Sequence, residues 1–308
     1  MKQTSRIIST YSADVFGVCS ALFELGGMTV MHDASGCNST YTTHDEPRWY
    51  DMDSMVYISA LTELEAVMGD DEKLTRDILG AARELQPRFI AIAGTPIPAM
   101  TGFDFDAVAR IIEAQTGIPA MGFATTGMHT YIHGASMAFA RLARRFVRED
   151  VRKTEAPSVN ILGLTPLDFS VNGTDRSIAA FLEKQGFQVL SRWAMGSSLE
   201  EISRSGGAHV NLVVSSTGLG AAKALQELFG TPYVVGVPMG AGFSGLLREA
   251  LTAAVATGEN QSPKSCLPGG DIVLIGEGVT ALSLASALEL TTGKAVRVIC
   301  PTECDDCL

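Results

Sequence analysis

The sequence predicts an α/β fold of mostly parallel sheets, on three observations. Short apolar runs alternate with amphipathic stretches of helical period along the whole chain. Thirty-one glycines supply sharp turns from strand ends into helices, and aromatic residues, at 7%, are too few for an aromatic-rich sandwich. With 308 residues, 46% of them hydrophobic, the chain can bury two separate cores without staples.

In the first half, residues 29–32, 55–59, 88–93 and 119–124 read as short buried strands. Between them, residues 71–86 and 104–116 read as amphipathic helices, which is βαβ rhythm and implies a parallel sheet covered on both faces. A long helix is expected over about 135–148. The rhythm restarts after Ala156, with strands at 159–164, 187–192, 209–215 and 232–237 and helices near 175–185, 199–205, 219–229 and 242–256. Residues 260–270, holding Pro263, Pro268 and two glycines, read as a linker. Beyond it come a strand at 271–276, a helix at 279–290 and a strand at 296–300. The expected division is a Rossmann-like domain over 1–155, a second over 156–262, and a third reduced over 263–308 to one βαβ unit with a cysteine-rich tail. A lone βαβ unit cannot cover both faces of its sheet, so it must dock on another surface.

A net charge of −11 excludes nonspecific nucleic-acid binding, because no basic surface releases counterions from phosphates. The N-terminus has no long apolar core behind its positive charges, so no signal peptide is expected. No apolar run reaches the length of a membrane span, so no membrane partner is expected either. A cytoplasmic location follows, where six cysteines are more readily thiols or metal ligands than disulfides.

Met28-Thr-Val-Met-His-Asp-Ala-Ser-Gly-Cys37 reads as a buried strand entering a Gly-bent turn that delivers one thiol, and a strand's carboxyl end is where parallel sheets place their chemistry. A second group of thiols, Cys300, Cys304 and Cys307, has C-x3-C-x2-C spacing, with Cys266 as a fourth candidate; this spacing can hold zinc or a cubane cluster, and its competing reading is a solvated acidic tail. His129 and His133, four apart, can share a helix face as a metal pair. Gly276-Glu-Gly-Val-Thr-Ala281 loosely matches a dinucleotide fingerprint, but no acidic residue ends the next strand. No Walker-type Gly-Lys-Ser/Thr run occurs, so the chain does not read as a P-loop ATPase.

The block Gly17-Val-Cys-Ser-Ala-Leu-Phe-Glu-Leu-Gly-Gly-Met-Thr-Val-Met-His-Asp-Ala-Ser-Gly-Cys37 resembles a helix, strand and Gly-Cys turn of the nitrogenase component 1 family. Ser59-Ala-Leu-Thr-Glu63 with Met68-Gly-Asp-Asp-Glu-Lys-Leu74 is similar to that family's next segment, and Phe229-Gly-Thr-Pro-Tyr-Val-Val-Gly-Val-Pro-Met-Gly240 to part of its second domain. The family includes nitrogenase molybdenum–iron protein subunits, their cofactor-assembly relatives, and dark-operative protochlorophyllide reductase catalytic subunits. The resemblance implies an oxidoreductase subunit that binds an iron–sulfur cluster, 4Fe-4S in type, at a subunit interface. Electrons would come from a separate ATP-dependent iron protein and pass to a small substrate. The implied partners are a second copy of the chain, as a homodimer, or a related subunit in a heteromer. Of three cluster cysteines usual in the family, only the Cys37 position is kept; the earlier one falls near Tyr11-Ser-Ala-Asp14 and offers Ser12 or Asp14, and the later falls in Gly94-Thr-Pro-Ile-Pro98.

In a twofold dimer, Cys19 and Cys37 from each chain would give four thiols, Cys19 being expected in the first turn of a helix starting near Gly17, where the dipole favours thiolate. The competing reading makes Cys19 a small buried apolar residue. His32 is expected beside the cluster, tuning it or hydrogen-bonded to backbone, and Glu63 near it, with helix capping through Ser59 or Thr62 as the structural alternative. The missing cysteines and the short third domain favour another function, a noncatalytic carrier or assembly scaffold for a metallocluster or tetrapyrrole.

Overall fold

The computed structural model describes residues 12–34, 41, 46–69, 71–270 and 272–305. It separates into two compact units, one spanning Thr10–Ala138 and the other taking in Phe139–Leu308.

The first unit runs α1 (Asp14–Leu22), β1 (Met28–His32), β2 (Met55–Ile58), α2 (Glu63–Met68), α3 (Asp71–Leu85), β3 (Ile90–Gly94), α4 (Pro96–Thr101), α5 (Phe105–Thr116), β4 (Ala120–Phe123) and the start of α6 (Tyr131–Phe146). All four strands are parallel in the order β2-β1-β3-β4. β1 and β3 are buried at every position, as the centre of a sheet covered on both faces must be. Leu74, Ile78 and Ala82, spaced four apart, turn one stripe of α3 onto Met28, Val30, Ile90 and Ile92, and Val108 and Ile112 of α5 complete that core.

In the second unit β5 (Ser158–Leu162), α7 (Pro166–Phe169), α8 (Thr174–Lys184), β6 (Gln188–Arg192), α9 (Leu199–Ser203), β7 (Val210–Val213), α10 (Leu219–Phe229), β8 (Tyr233–Val235) and α11 (Ala241–Thr257) repeat the plan, with the parallel order β6-β5-β7-β8. Its centre contains a buried polar network. Asn160 donates to Asn211 Oδ1 (2.8 Å) and the Ser205 carbonyl (3.0 Å), Ser191 donates to Asn160 Oδ1 (2.8 Å), and Trp193 Nε1 donates to Ser191 Oγ (2.9 Å). Within it Asn211 Nδ2 stays buried without a partner, while the groups bonded in this way cost little.

The expected third βαβ unit is β9 (Ile272–Ile275), α12 (Gly278–Thr292) and β10 (Val296–Ile299), two parallel strands with one helix. It docks within the second unit: Glu277 accepts from Ser216 N and Oγ (2.9 and 2.5 Å), and Ser283 accepts from Val237 N (2.9 Å). The two-stranded sheet therefore has the cover it needs on its helix side. The α/β class with parallel sheets is as the sequence predicts.

Candidate functional site

The strand order β2-β1-β3-β4 makes the gap between β1 and β3 the topological switch point, where chain connections leave in opposite directions and parallel sheets bind ligands. β1 ends at His32 and leads toward Cys37, which lies outside the described residues. Five residues of chain keep the two within about 17 Å.

The residues closing this end are tied to one another. Thr95 Oγ1 donates to the His32 carbonyl (2.9 Å) across β1 and β3, and Thr125 Oγ1 donates to the Gly94 carbonyl (2.7 Å) across β3 and β4. His32 Nδ1 and Ser59 Oγ share a 2.9 Å hydrogen bond, and the imidazole lies 4.6 Å from the Phe103 ring. Burial in this setting lowers the His32 pKa to about 4, against the opposing pull of Asp33, so the ring is neutral at pH 7.

Asp14 opens α1 fully buried. Its Oδ1 accepts from Val15 N and Gly127 N (both 2.8 Å) and its Oδ2 from Thr126 N (3.0 Å), which joins the helix start to the loop after β4. Desolvation raises its pKa although those three N–H groups pull it down. The carboxylate is thus already engaged through both oxygens.

Cys19 departs from the expectation. α1 begins at Asp14, so Cys19 is its sixth residue and lies in the second turn, beyond the reach of the dipole argument. It is completely buried, and desolvation, aided by Glu46, pushes the thiol far above its ordinary pKa. Its surroundings include a buried ion pair, Arg48 donating to both Glu46 oxygens at 2.6 Å. A protonated core thiol is a poor metal ligand.

Glu63 is exposed at the first position of α2, and the capping pair is Thr62 with Glu65: Thr62 Oγ1 accepts from Glu65 N (3.3 Å) and Glu65 Oε2 from Thr62 N (2.8 Å). Ser59, the other capping candidate, serves His32 instead.

In the second unit, Cys300 and Cys304 come together at the carboxyl end of β10. Burial and the neighbouring Cys300 thiol raise the Cys304 pKa, and Lys223 holds Asp305 at 2.5 Å. Cys307 lies outside the described residues. Cys266 is set apart from this pair, its flanking amides donating to Ser286 Oγ and Glu289 Oε2, which lie on α12 at least nine residues from Glu277, about 13 Å of helix. The fingerprint glycines open α12, but Glu277 takes the Val279 and Thr280 N–H groups (3.1 and 2.9 Å) that a pyrophosphate would need.

Among the described residues no group of three or more His, Cys, Asp or Glu side chains could hold a metal ion. The first sheet's carboxyl end does contain two orphaned polar atoms, Ser12 Oγ and Asp33 Oδ2, buried without partners. Each such atom costs about 1–3 kcal/mol unless something donates or binds there. A cubane cluster needs thiolates, and among the described residues this end offers none but the buried Cys19, so the described residues would not hold one by themselves.

Nothing in the sequence marks these orphans, nor a third feature of the same end, its apolar exterior. Leu64 (72% exposed), Val67 (78%) and Met68 (73%) of α2 and Met100 (86%) of α4 all follow strand ends of the first sheet, and α2 packs on α4.

Two units, each a four-stranded parallel sheet covered by helices, define the architecture. Residues 15–266 match the family model of the nitrogenase component 1 type oxidoreductases, and the chain belongs to that family. The nitrogenase iron-molybdenum cofactor biosynthesis protein NifE of Nostoc sp. (strain PCC 7120) is 24% identical over 187 residues, 58% of this chain and 37% of that protein. A light-independent protochlorophyllide reductase subunit of Prosthecochloris aestuarii is 29% identical over 177 residues, 55% of this chain and 32% of that one. A solved nitrogenase Cp1 structure at pH 6.5 superposes with a TM-score of 0.64 at 19% identity, over 81% of this chain and 52% of that one, a likeness of fold. The chain thus spans about half or less of the length of the relatives it matches. No helix among the described residues is long and apolar enough to cross a membrane.

Proposed function

We propose that this chain is an oxidoreductase subunit that binds a 4Fe-4S cluster at a subunit interface through Cys37, with electrons drawn from a separate ATP-dependent iron protein and passed to a small substrate. A bound cluster would supply one-electron transfer. The observation that carries the reading is the coincidence, at one end of the first sheet, of the chain leading to Cys37, two orphaned buried oxygens and an exposed apolar exterior. The protein's own groups at that end have definite tasks. Asp14 fixes the start of α1 against the loop after β4, neutral His32 closes β1 against Ser59, and the apolar exterior excludes water once a second chain covers it.

Anaerobic purification with iron and acid-labile sulfide analysis and electron paramagnetic resonance tests the reading. Iron and sulfide should be present in the wild type and in a chain ending before Cys300, and lost in Cys37→Ala. Loss only on truncation would move the site to Cys300, Cys304 and Cys307, and absence from the wild type even after reconstitution would sink the redox reading.

A second reading, a noncatalytic metallocluster or tetrapyrrole carrier or assembly scaffold, draws support from the similarity to a cofactor biosynthesis protein and from the short span of the chain. It predicts that a loaded chain transfers its cargo to an acceptor protein and stays inert toward reductant, whereas the first reading predicts reoxidation by substrate.

A further inference from the structure

We infer that His129 and His133 form an open binding site for a divalent transition-metal ion of the zinc or nickel type. The two imidazoles stack with centroids 4.5 Å apart and planes 25° apart, and both residues are exposed. Exposed rings bury no core area by stacking, so packing alone does not account for the arrangement.

The backbone beneath them is fixed on both sides. Asp14 N donates to the His129 carbonyl (3.1 Å) and Tyr131 N to the Ser12 carbonyl (3.2 Å), forming an antiparallel bridge between Ala13 and Thr130. His133 sits in the first turn of α6, its N–H donating to the Thr130 carbonyl at 3.1 Å. α6 is in turn pressed against α1 at Gly134 and Gly17, where an added Cβ would strike the opposing backbone. The terminal imidazole torsion is soft, so a ring nitrogen of each can turn toward a shared ion on this fixed backbone. The sequence expectation of a shared helix face does not hold, since His129 lies on the bend two residues before α6 and only His133 is helical; loop and helix start bring the rings together instead, and imidazole suits zinc, nickel or copper rather than calcium or magnesium.

Asp14 is within electrostatic reach of His129, but both its oxygens are engaged by backbone N–H groups, so it is not a third ligand. The remaining coordination positions are left to water or to a ligand's own donor atom. The inferred ligands include none of the cysteines proposed to hold the cluster.

The test is a Zn2+ titration of the full-length Cys37→Ala chain, followed through histidine C2–H resonances. The chain has only five histidines, so each can be assigned by substitution. Two signals, those of His129 and His133, should shift together and saturate. His129→Gln and His133→Gln should each weaken the effect on the remaining ring by more than about tenfold, since the second ligand acts at high effective concentration. The inference is overturned if neither signal moves below about 1 mM Zn2+, a free energy of binding weaker than about −4 kcal/mol. It is also overturned if either single variant binds as the parent does. Because Cys37 is absent throughout, the outcome does not depend on whether the chain carries a cluster.

Discussion

Burial keeps the His32 imidazole neutral, with a pKa of about 4 against an ordinary 6.5, and this makes the first sheet sensitive to acid in a definite direction. Between those two values the unfolded chain binds a proton at this ring that the folded chain refuses, so stability rises with pH there. The contribution is complete above about pH 6.5 and is lost as pH falls toward 4, by an upper bound of about 3 kcal/mol. Urea unfolding at steps between pH 7 and pH 4.5 should show the wild type losing stability faster than His32→Gln, whose side chain keeps a partner for Ser59 without titrating. Equal slopes would assign the acid sensitivity to other groups. The sequence makes this site legible only in part. His32 at a strand end can be read from it, whereas Ser59 and Phe103, which set the ring's chemistry, come from other βα turns. Glu63 lies two positions before the glutamate that caps, because the Thr62–Glu65 box is defined by where the helix starts.

At the scale of elements, local pattern suffices wherever a run is long and periodic. Every expected strand forms, with ends moving by a few residues, and α10 has the limits its apolar spacing gives. α1 is the instructive failure. Gly17 reads as a helix start, but the helix begins at Asp14, and the glycine is there for close approach. A Cβ at Gly17 would overlap the Tyr131 carbonyl, and one at Gly134 would overlap the Asp14 carbonyl, so the two helices cross backbone to backbone. Such a contact involves residues more than a hundred apart and has no local signature. Gly17→Ala or Gly134→Ala should therefore destabilise the protein by about 3 kcal/mol or more, because backbone cannot move aside as a side-chain end can. Gly80, inside α3 with nothing within 4 Å of an added Cβ, is the control. Gly80→Ala should stabilise by about 0.5–1 kcal/mol through helix propensity. Thermal melts of the three variants decide the matter, and a neutral Gly134→Ala would show that the crossing is looser than its geometry.

For the molecule as a whole, the open question is what covers the apolar end of the first sheet. Leu64, Val67 and Met68 are more than 70% exposed, as is Met100. A patch of this kind beside a switch point marks an interaction surface rather than a stray hydrophobe. In the proposed homodimer a second copy of this chain would cover the patch and bring a second Cys37 toward the proposed cluster. The wild type should accordingly sediment as a dimer, and Val67→Lys combined with Met100→Lys should sediment as a monomer with an unchanged circular dichroism spectrum, since neither side chain contributes to the core. If the cluster bridges the two chains, iron content should fall with the dimer fraction. A wild type that stays monomeric in its iron-loaded form, or a doubly substituted chain that still dimerises, would place the covering surface elsewhere and leave the exposed α2 and α4 to a different partner.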